Sequence, residues 1–228
     1  MKIAVLGTGA VGRTLAGRLH QLGHDVVVGT RDVDKTLART EPAGSGNQSY
    51  SAWQQEHPTV RLLPFSDAGV HGELVLNATA GKNSLPALEA VGAANLDGKV
   101  LLDLALPLDL SNGLPPEFTI GGDDSLGELI QRTFPGARVV KSLNTVYMDV
   151  MVEPSRIPGQ HNIFVAGDDS AAKETVTGIL REFGWPDEAV LDLGGIRAAR
   201  GCESYSQLYF LLVGALGTFE LNIAVVRK

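Results

Sequence analysis

The opening twelve residues, MKIAVLGTGAVG, constrain the fold more than any other stretch of the chain. KIAVLG is a short apolar run of the kind that forms a strand buried on both faces. It leads into Gly7, Gly9 and Gly12, the G-x-G-x-x-G spacing. Val11, Leu15, Leu19 and Leu22 then recur at helical spacing until Gly23 stops the helix, and Asp25 to Gly29 reads as a second strand. Two strands joined by a helix in so short a span make a right-handed βαβ crossover. There the first glycine permits the tight turn and the second lets backbone approach a pyrophosphate. The third allows close helix–strand packing, with free N–H groups of the helix N-terminus facing the phosphates. The expectation is a dinucleotide cofactor.

The end of the second strand narrows the choice of dinucleotide. Proteins that prefer NAD carry a carboxylate there for the ribose 2′-hydroxyl, and it would repel a 2′-phosphate. This chain has Gly29, Thr30 and Arg31 instead. Arg31 offers a planar fork for phosphate oxygens, Thr30 a hydroxyl donor, and Lys35 a second positive charge one helical turn on. Asp32 is assigned an outward or helix-capping role. The expected cofactor is therefore NADP.

Further along, short strands alternate with helices. Strands are expected over Val60 to Phe65, Glu73 to Gly81, Gly98 to Leu108 and Ala137 to Val146, with helices over Asp34 to Arg39, Ser84 to Gly92 and Ser125 to Phe134. Pro86 is placed in the first turn of its helix, and Ser125 with Glu128 has capping-box spacing. This alternation predicts an α/β, doubly wound, mostly parallel sheet over residues 1–150. Proline and polar residues break the rhythm near Asp149 to Pro158. Residues 151–228 are expected to form a small C-terminal domain, with one strand at HNIFVAG, a helix over Ser170 to Phe183 and a mostly helical tail.

Composition excludes several functions. A net charge of −7 argues against nucleic acid. The longest apolar stretch, Leu208 to Phe219, is shorter than the roughly 18 residues a membrane span needs, so it reads as a core or homodimer-contact helix. Cys202 is the sole cysteine, expected to be buried and inert, and no signal peptide is read at the N-terminus; both suggest a cytoplasmic protein. No histidine pair has metal-ligand spacing, and His24 is assigned a structural hydrogen bond.

Ligands of open α/β sheets sit beyond the carboxyl ends of the strands, which selects Ala78 to Gly81, Ala105 to Leu108 and Ser142 to Thr145. These stretches are small or apolar. Lys141 and Asn144 are the polar candidates: Lys141 reads as a strand-end surface lysine rather than a proton donor, and Asn144 either donates a hydrogen bond to the cofactor or acceptor or caps its own loop. So sparse a set suits hydride transfer between two stacked rings, where proximity and alignment dominate, better than carbonyl reduction, which needs a proton donor.

MKIAVLGTGAVGRTLAGRL, GHDVVVGTRD, VVKSLNTV, FVAGDD and GALGTFELNIAVVRK together resemble the NADP-dependent oxidoreductases of the deazaflavin coenzyme F-420 type. The resemblance implies a Rossmann domain, and hydride exchange between NADP(H) and a deazaflavin bound face to face in a cleft that the C-terminal domain closes. It also implies homo-oligomers. By position, Thr8, Gly9, Ala10 and Val11 would contact the pyrophosphate, and Thr30, Arg31 and Lys35 the 2′-phosphate. Ala78 and Thr79 would line the path to the nicotinamide, with Ala105 and Asn144 near the reacting ring. The chain departs from the pattern at Ala80, Leu106 and Leu143, all in the acceptor pocket. Two other readings use the same nucleotide half: reduction of a flavin, ferric complex or imine, or a non-catalytic NADPH sensor.

Overall fold

The computed structural model describes residues 1–41 and 48–228. In chain order the elements are β1 (Lys2–Leu6), α1 (Ala10–Gln21), β2 (Asp25–Thr30), α2 (Val33–Leu37), α3 (Tyr50–Glu56), β3 (Arg61–Pro64), α4 (Phe65–His71), β4 (Leu74–Asn77), α5 (Gly81–Val91) and α6 (Ala93–Leu96). There follow β5 (Val100–Asp103), β6 (Leu108–Asp109), β7 (Glu117–Phe118), α7 (Leu126–Thr133), β8 (Arg138–Ser142), α8 (Met148–Val152), β9 (Ile163–Ala166), α9 (Ser170–Phe183), β10 (Val190–Asp192) and α10 (Ala199–Leu216).

Eight strands form one sheet in the order β10-β9-β8-β5-β4-β1-β2-β3. From β3 to β8 every pairing is parallel, the doubly wound arrangement of a Rossmann sheet. β1, β4 and β5 are buried on both faces, which explains why they read as unbroken apolar runs. One core lies under α1, α8 and α9, and a second under α4, α5 and α7. The strand order reverses between β1 and β4, and that switch point opens the crevice in which such folds bind ligands.

The C-terminal segment adds to this sheet. β9 runs antiparallel to β8, and β10 is parallel to β9. α10 ends at Gly217, whose φ of 68° lies in the left-handed region. The tail beyond is not helical as expected; it crosses back, with Asn162 N–H donating to the Ile223 carbonyl at 3.0 Å. Leu208, Leu211 and Leu216 stay exposed. No helix among the described residues is long and apolar enough to cross a membrane.

Several element boundaries differ from expectation, and β4 ends at Asn77 rather than Gly81. β5 stops at Asp103, and Leu108–Asp109 instead pairs antiparallel with Glu117–Phe118 in a separate two-stranded ribbon. β8 stops at Ser142 because Leu143 adopts φ 65°, a left-handed conformation that extended backbone cannot contain. α5 starts three residues earlier than read, at Gly81, so Pro86 falls in its second turn.

Ser125 caps α7, with Glu128 N–H donating to Ser125 Oγ at 3.1 Å; the reciprocal half of a capping box is replaced, since Ser125 N–H donates to Asp124 and Ser125 Oγ donates to the Glu128 carboxylate at 2.8 Å. Arg200 of α10 grips the same carboxylate through Nε and a terminal nitrogen, both at 2.7 Å. That hydrogen bonding, opposed by partial burial, holds Glu128 below the usual carboxylate range. A depressed value stabilises the fold above the unfolded pKa of about 4.3, and the contribution fades as pH falls through the folded value. In urea unfolding, the stability difference between wild type and Glu128→Gln is therefore expected to be constant from pH 5 to 8 and to shrink below pH 4. A difference that grows on acidification would contradict this account.

Candidate functional site

The turn after β1 lies at the switch point and is packed to the limit of backbone contact. A Cβ on Gly7, whose φ is +120°, would meet the Ala78 carbonyl oxygen at 2.6 Å. A Cβ on Gly12 would lie 2.2 Å from the Gly7 carbonyl oxygen. Gly9 faces open space, with nothing within 4 Å of its would-be Cβ. No side chain caps the N-terminus of α1, and no acid lies in its first turn. Its N–H groups thus face the crevice with their positive helix end free, as a bound pyrophosphate requires.

The crevice is a cavity of about 620 Å³. Gly7, Thr8, Gly9, Thr30, Arg31, Lys35, Ala78 and Thr79 all line it. Ala10, Val11 and Gly12 form the first turn of α1 beside it. Ala105 and Asn144 do not line it; both are buried, beyond the ends of β5 and β8, further across the sheet. The cavity also takes in Arg39, which the sequence reading left out, and Arg39 donates to Thr8 Oγ1 at 2.6 Å. Its signal was present: Arg31, Lys35 and Arg39 recur every fourth residue, the spacing of one helix face.

Three assignments change once the side-chain bonds are traced. Thr36 Oγ1 spends its only proton on the Asp32 carbonyl, at 2.7 Å. The 2.8 Å contact between the two threonine hydroxyls therefore has Thr30 donating to Thr36, so Thr30 holds no free donor for a phosphate. The exposed cations Arg31, Lys35 and Arg39 supply the positive charge instead. Asp32 is satisfied as the N-cap of α2, accepting from the Lys35 N–H at 2.9 Å, and hydrogen bonding from that N–H holds its carboxyl below the usual range.

Lys141 is the largest correction. It is fully buried, with Nζ 2.8 Å from Asp103 Oδ2 and 2.9 Å from Glu203 Oε1, and it also donates to the Ala105 carbonyl. Burial alone would push the ammonium down; the two carboxylates outweigh it and hold it above its ordinary value. All three protons are committed, so Lys141 has none to give a substrate. Asn144 also changes role. Its Nδ2 donates one of its two hydrogens to the Cys202 carbonyl at 2.8 Å, and Oδ1 is buried without a partner, so it keeps one donor and an acceptor free. Burial pushes the Cys202 thiol up to about 11, in keeping with an inert cysteine. His24 is structural, with one ring nitrogen 2.5 Å from Glu182 and the other 3.3 Å from the N-terminal amine.

Gly29 lines the cavity, but its would-be Cβ points into the core, 2.8 Å from Leu6 Cδ2 and 3.1 Å from both Ala68 Cβ and Phe65 Cδ1. Packing therefore forbids a carboxylate there whatever the ligand. Gly29→Ala is expected to cost about 1–3 kcal/mol in denaturant unfolding, the usual penalty of an overpacked core. An unchanged midpoint would show that the strand end yields more easily than this geometry implies.

A switch-point crevice with a glycine turn and an uncapped helix N-terminus defines a dinucleotide-binding domain. Residues 2–107 match the family model for NADP oxidoreductase, coenzyme F420-dependent. A crystal structure from Arthrobacter sp. FB24, provisionally named an F420-dependent NADP-reductase, is 52% identical, covers both chains completely and superimposes with a TM-score of 0.94. The F420-dependent NADP reductase of Methanothermobacter marburgensis is 25% identical over 212 residues, 91% of this chain and 90% of that protein. Metalloreductase STEAP3 of Rattus norvegicus is 27% identical over 203 residues, 89% of this chain; the match spans only 36% of the rat protein's length. The chain belongs to the coenzyme F420-dependent NADP oxidoreductase family, and it is an NADP-dependent oxidoreductase.

Proposed function

We propose that this oxidoreductase exchanges hydride between NADP(H) and a deazaflavin of the coenzyme F420 type, the two rings stacked beyond the ends of β4, β5 and β8. One observation carries the reading: the three strand-end segments themselves bear no ionisable side chain. Asp103 and Lys141 are spent on each other, and Ala78 to Gly81, Ala105 to Leu108 and Ser142 to Thr145 contain no titratable group. A carbonyl acceptor would leave an alkoxide with nothing to protonate it, whereas ring-to-ring transfer asks only for alignment at about 3–3.5 Å. The provisional name of the 52% identical Arthrobacter protein points the same way.

In this reading the first turn of α1 holds the pyrophosphate on backbone N–H groups, with Thr8 beside it. Arg31 and Lys35 take the 2′-phosphate, and Arg39 spans the gap to the glycine turn. Ala78 and Thr79 face the path to the nicotinamide, Ala105 supports that wall from a buried position, and Asn144 Oδ1 accepts a hydrogen bond near the reacting ring. Bound NADPH supplies the hydride; the protein orients it and excludes water.

Arg31→Ala is expected to weaken NADPH binding by about 10- to 100-fold, the worth of a lost hydrogen bond to a charged group, and to leave NADH within twofold. Arg39→Met should weaken both nucleotides by similar factors, because Arg39 reaches the shared pyrophosphate turn. Equal losses of NADPH and NADH in the Arg31 variant, measured by fluorescence titration, would remove Arg31 from the 2′-phosphate.

The likeness to a metalloreductase supports a ferric complex as the second acceptor reading. The protein is to be mixed anaerobically with NADPH and either oxidised coenzyme F420 or a ferric chelate, following the absorbance of donor and acceptor together. Paired bleaching of NADPH and the deazaflavin is expected. NADPH oxidation with the chelate alone would transfer the assignment to metal reduction.

A further inference from the structure

The nucleotide reading leaves a buried, multiply bonded polar cluster without a task. It begins on α10, where Glu203 accepts from the Leu126 and Gly127 N–H groups at the start of α7, at 2.9 and 3.0 Å, and pairs with Lys141 on β8. Lys141 passes the contact to Asp103 on β5. Asp103 Oδ1 accepts from Asn77 Nδ2 on β4 at 2.8 Å, and Asn77 Oδ1 accepts from Thr79 Oγ1 at 2.7 Å. Thr79 lines the cofactor cavity. Asn77, Asp103 and Lys141 are wholly shielded from solvent, and Glu203 almost so.

Proton counting fixes every orientation in this chain. Thr79 spends its proton on Asn77, so the 3.0 Å contact between Thr79 and Ser84 has Ser84 donating. Asn77 Nδ2 gives its hydrogens to Asp103 and to Ser84 Oγ at 3.1 Å, so its amide cannot flip. The Ala105 peptide is gripped at both ends: Asp103 Oδ1 accepts from its N–H at 3.2 Å, and Lys141 donates to its carbonyl. Buried ion clusters are generally poor sources of net stability compared with apolar packing, and their best-attested use is to specify one arrangement.

We propose that Lys141 and Glu203 are positioning residues that hold Thr79 and the Ala105 peptide in register for the nicotinamide half of the cofactor, tying that wall to α10. The proposal rests on the NADP reading above. Neither residue touches ligand; they act through Asp103 and Asn77. Sheet order gives the action its selectivity. β4, β5 and β8 lie progressively further from β2, and no hydrogen bond of this network among the described residues reaches Arg31, Lys35 or Arg39. The adenosine end should not sense the network's loss.

The test compares two probes on the full chain: 2′,5′-ADP, which carries only the phosphorylated adenosine half, and NADPH, whose nicotinamide fluorescence reports its surroundings. In Glu203→Gln and Lys141→Met, the Kd for 2′,5′-ADP is expected to stay within twofold of wild type. NADPH should bind about tenfold more weakly, the effect of roughly one misplaced hydrogen bond, with less fluorescence enhancement at saturation. Thr79→Val cuts the network at its cavity end without burying a stray charge, and should give the same split should the charge variants fail to fold. A general loss of structure would move both probes together, so parallel changes overturn the proposal, as do variants that bind both like wild type. Wild-type protein that binds neither probe would overturn the NADP reading itself; wild type that binds both with unsplit variants overturns only the positioning role.

Discussion

The architecture hangs on how closely three backbone segments meet at the head of α1. The Gly7 carbonyl lies against the Cα of Gly12, and Gly7 itself lies against the Ala78 carbonyl, so β1, α1 and β4 approach to distances that exclude even a methyl group. That approach delivers the uncapped end of α1 to the mouth of the crevice. The positive end of a helix is a modest attraction by itself, screened by salt and confined to its first turn. Here it is supplemented by backbone N–H groups that have no competing carboxylate or hydroxyl, so the site is polarised for an anion before any charged side chain contributes.

This local polarisation matters because the molecule as a whole is acidic, with a net charge of −7. At physiological salt, exposed charges further apart than about 8 Å are largely screened. The field at the crevice is therefore set by its own lining, where Arg31, Lys35 and Arg39 face Asp32 alone, and Asp32 is engaged in capping α2. An overall negative charge and an anionic ligand are compatible on those terms.

How much of this could be read from sequence depended on whether the governing force was local. The βαβ start, the cap at Asp32, the N-cap at Ser125 and the parallel sheet follow from short-range spacing, and they are found as expected. Gly29 was legible as an absent carboxylate, yet its reason is a contact with Phe65 and Ala68 on a helix far along the chain. Thr30 looked like a phosphate donor because its hydroxyl was visible and its pairing with Thr36 was not. Lys141 was misplaced most completely. A lysine following two valines in one strand, with an aspartate in the equally apolar LLDLA of another, was the available signal: opposite charges inside two strands that become neighbours imply a buried pair.

The site thus combines two kinds of control. In the proposed reading, the charged part of the ligand meets backbone and exposed cations, groups that tolerate water and adapt to a mobile phosphate. Where the ligand would be flat and must be aligned, the wall is held from behind by groups that meet no solvent at all. An ammonium enclosed by two carboxylates is expensive to bury, and simple packing would close the space between β5, β8 and α10 at lower cost. What packing lacks is direction. Leucine fixes a volume, whereas a fully committed lysine fixes the angle of the Ala105 carbonyl and, through Asp103, the face of an asparagine two strands away. Hydride transfer is sensitive to fractions of an ångström, so directional bonds suit that end of the crevice better than shape alone.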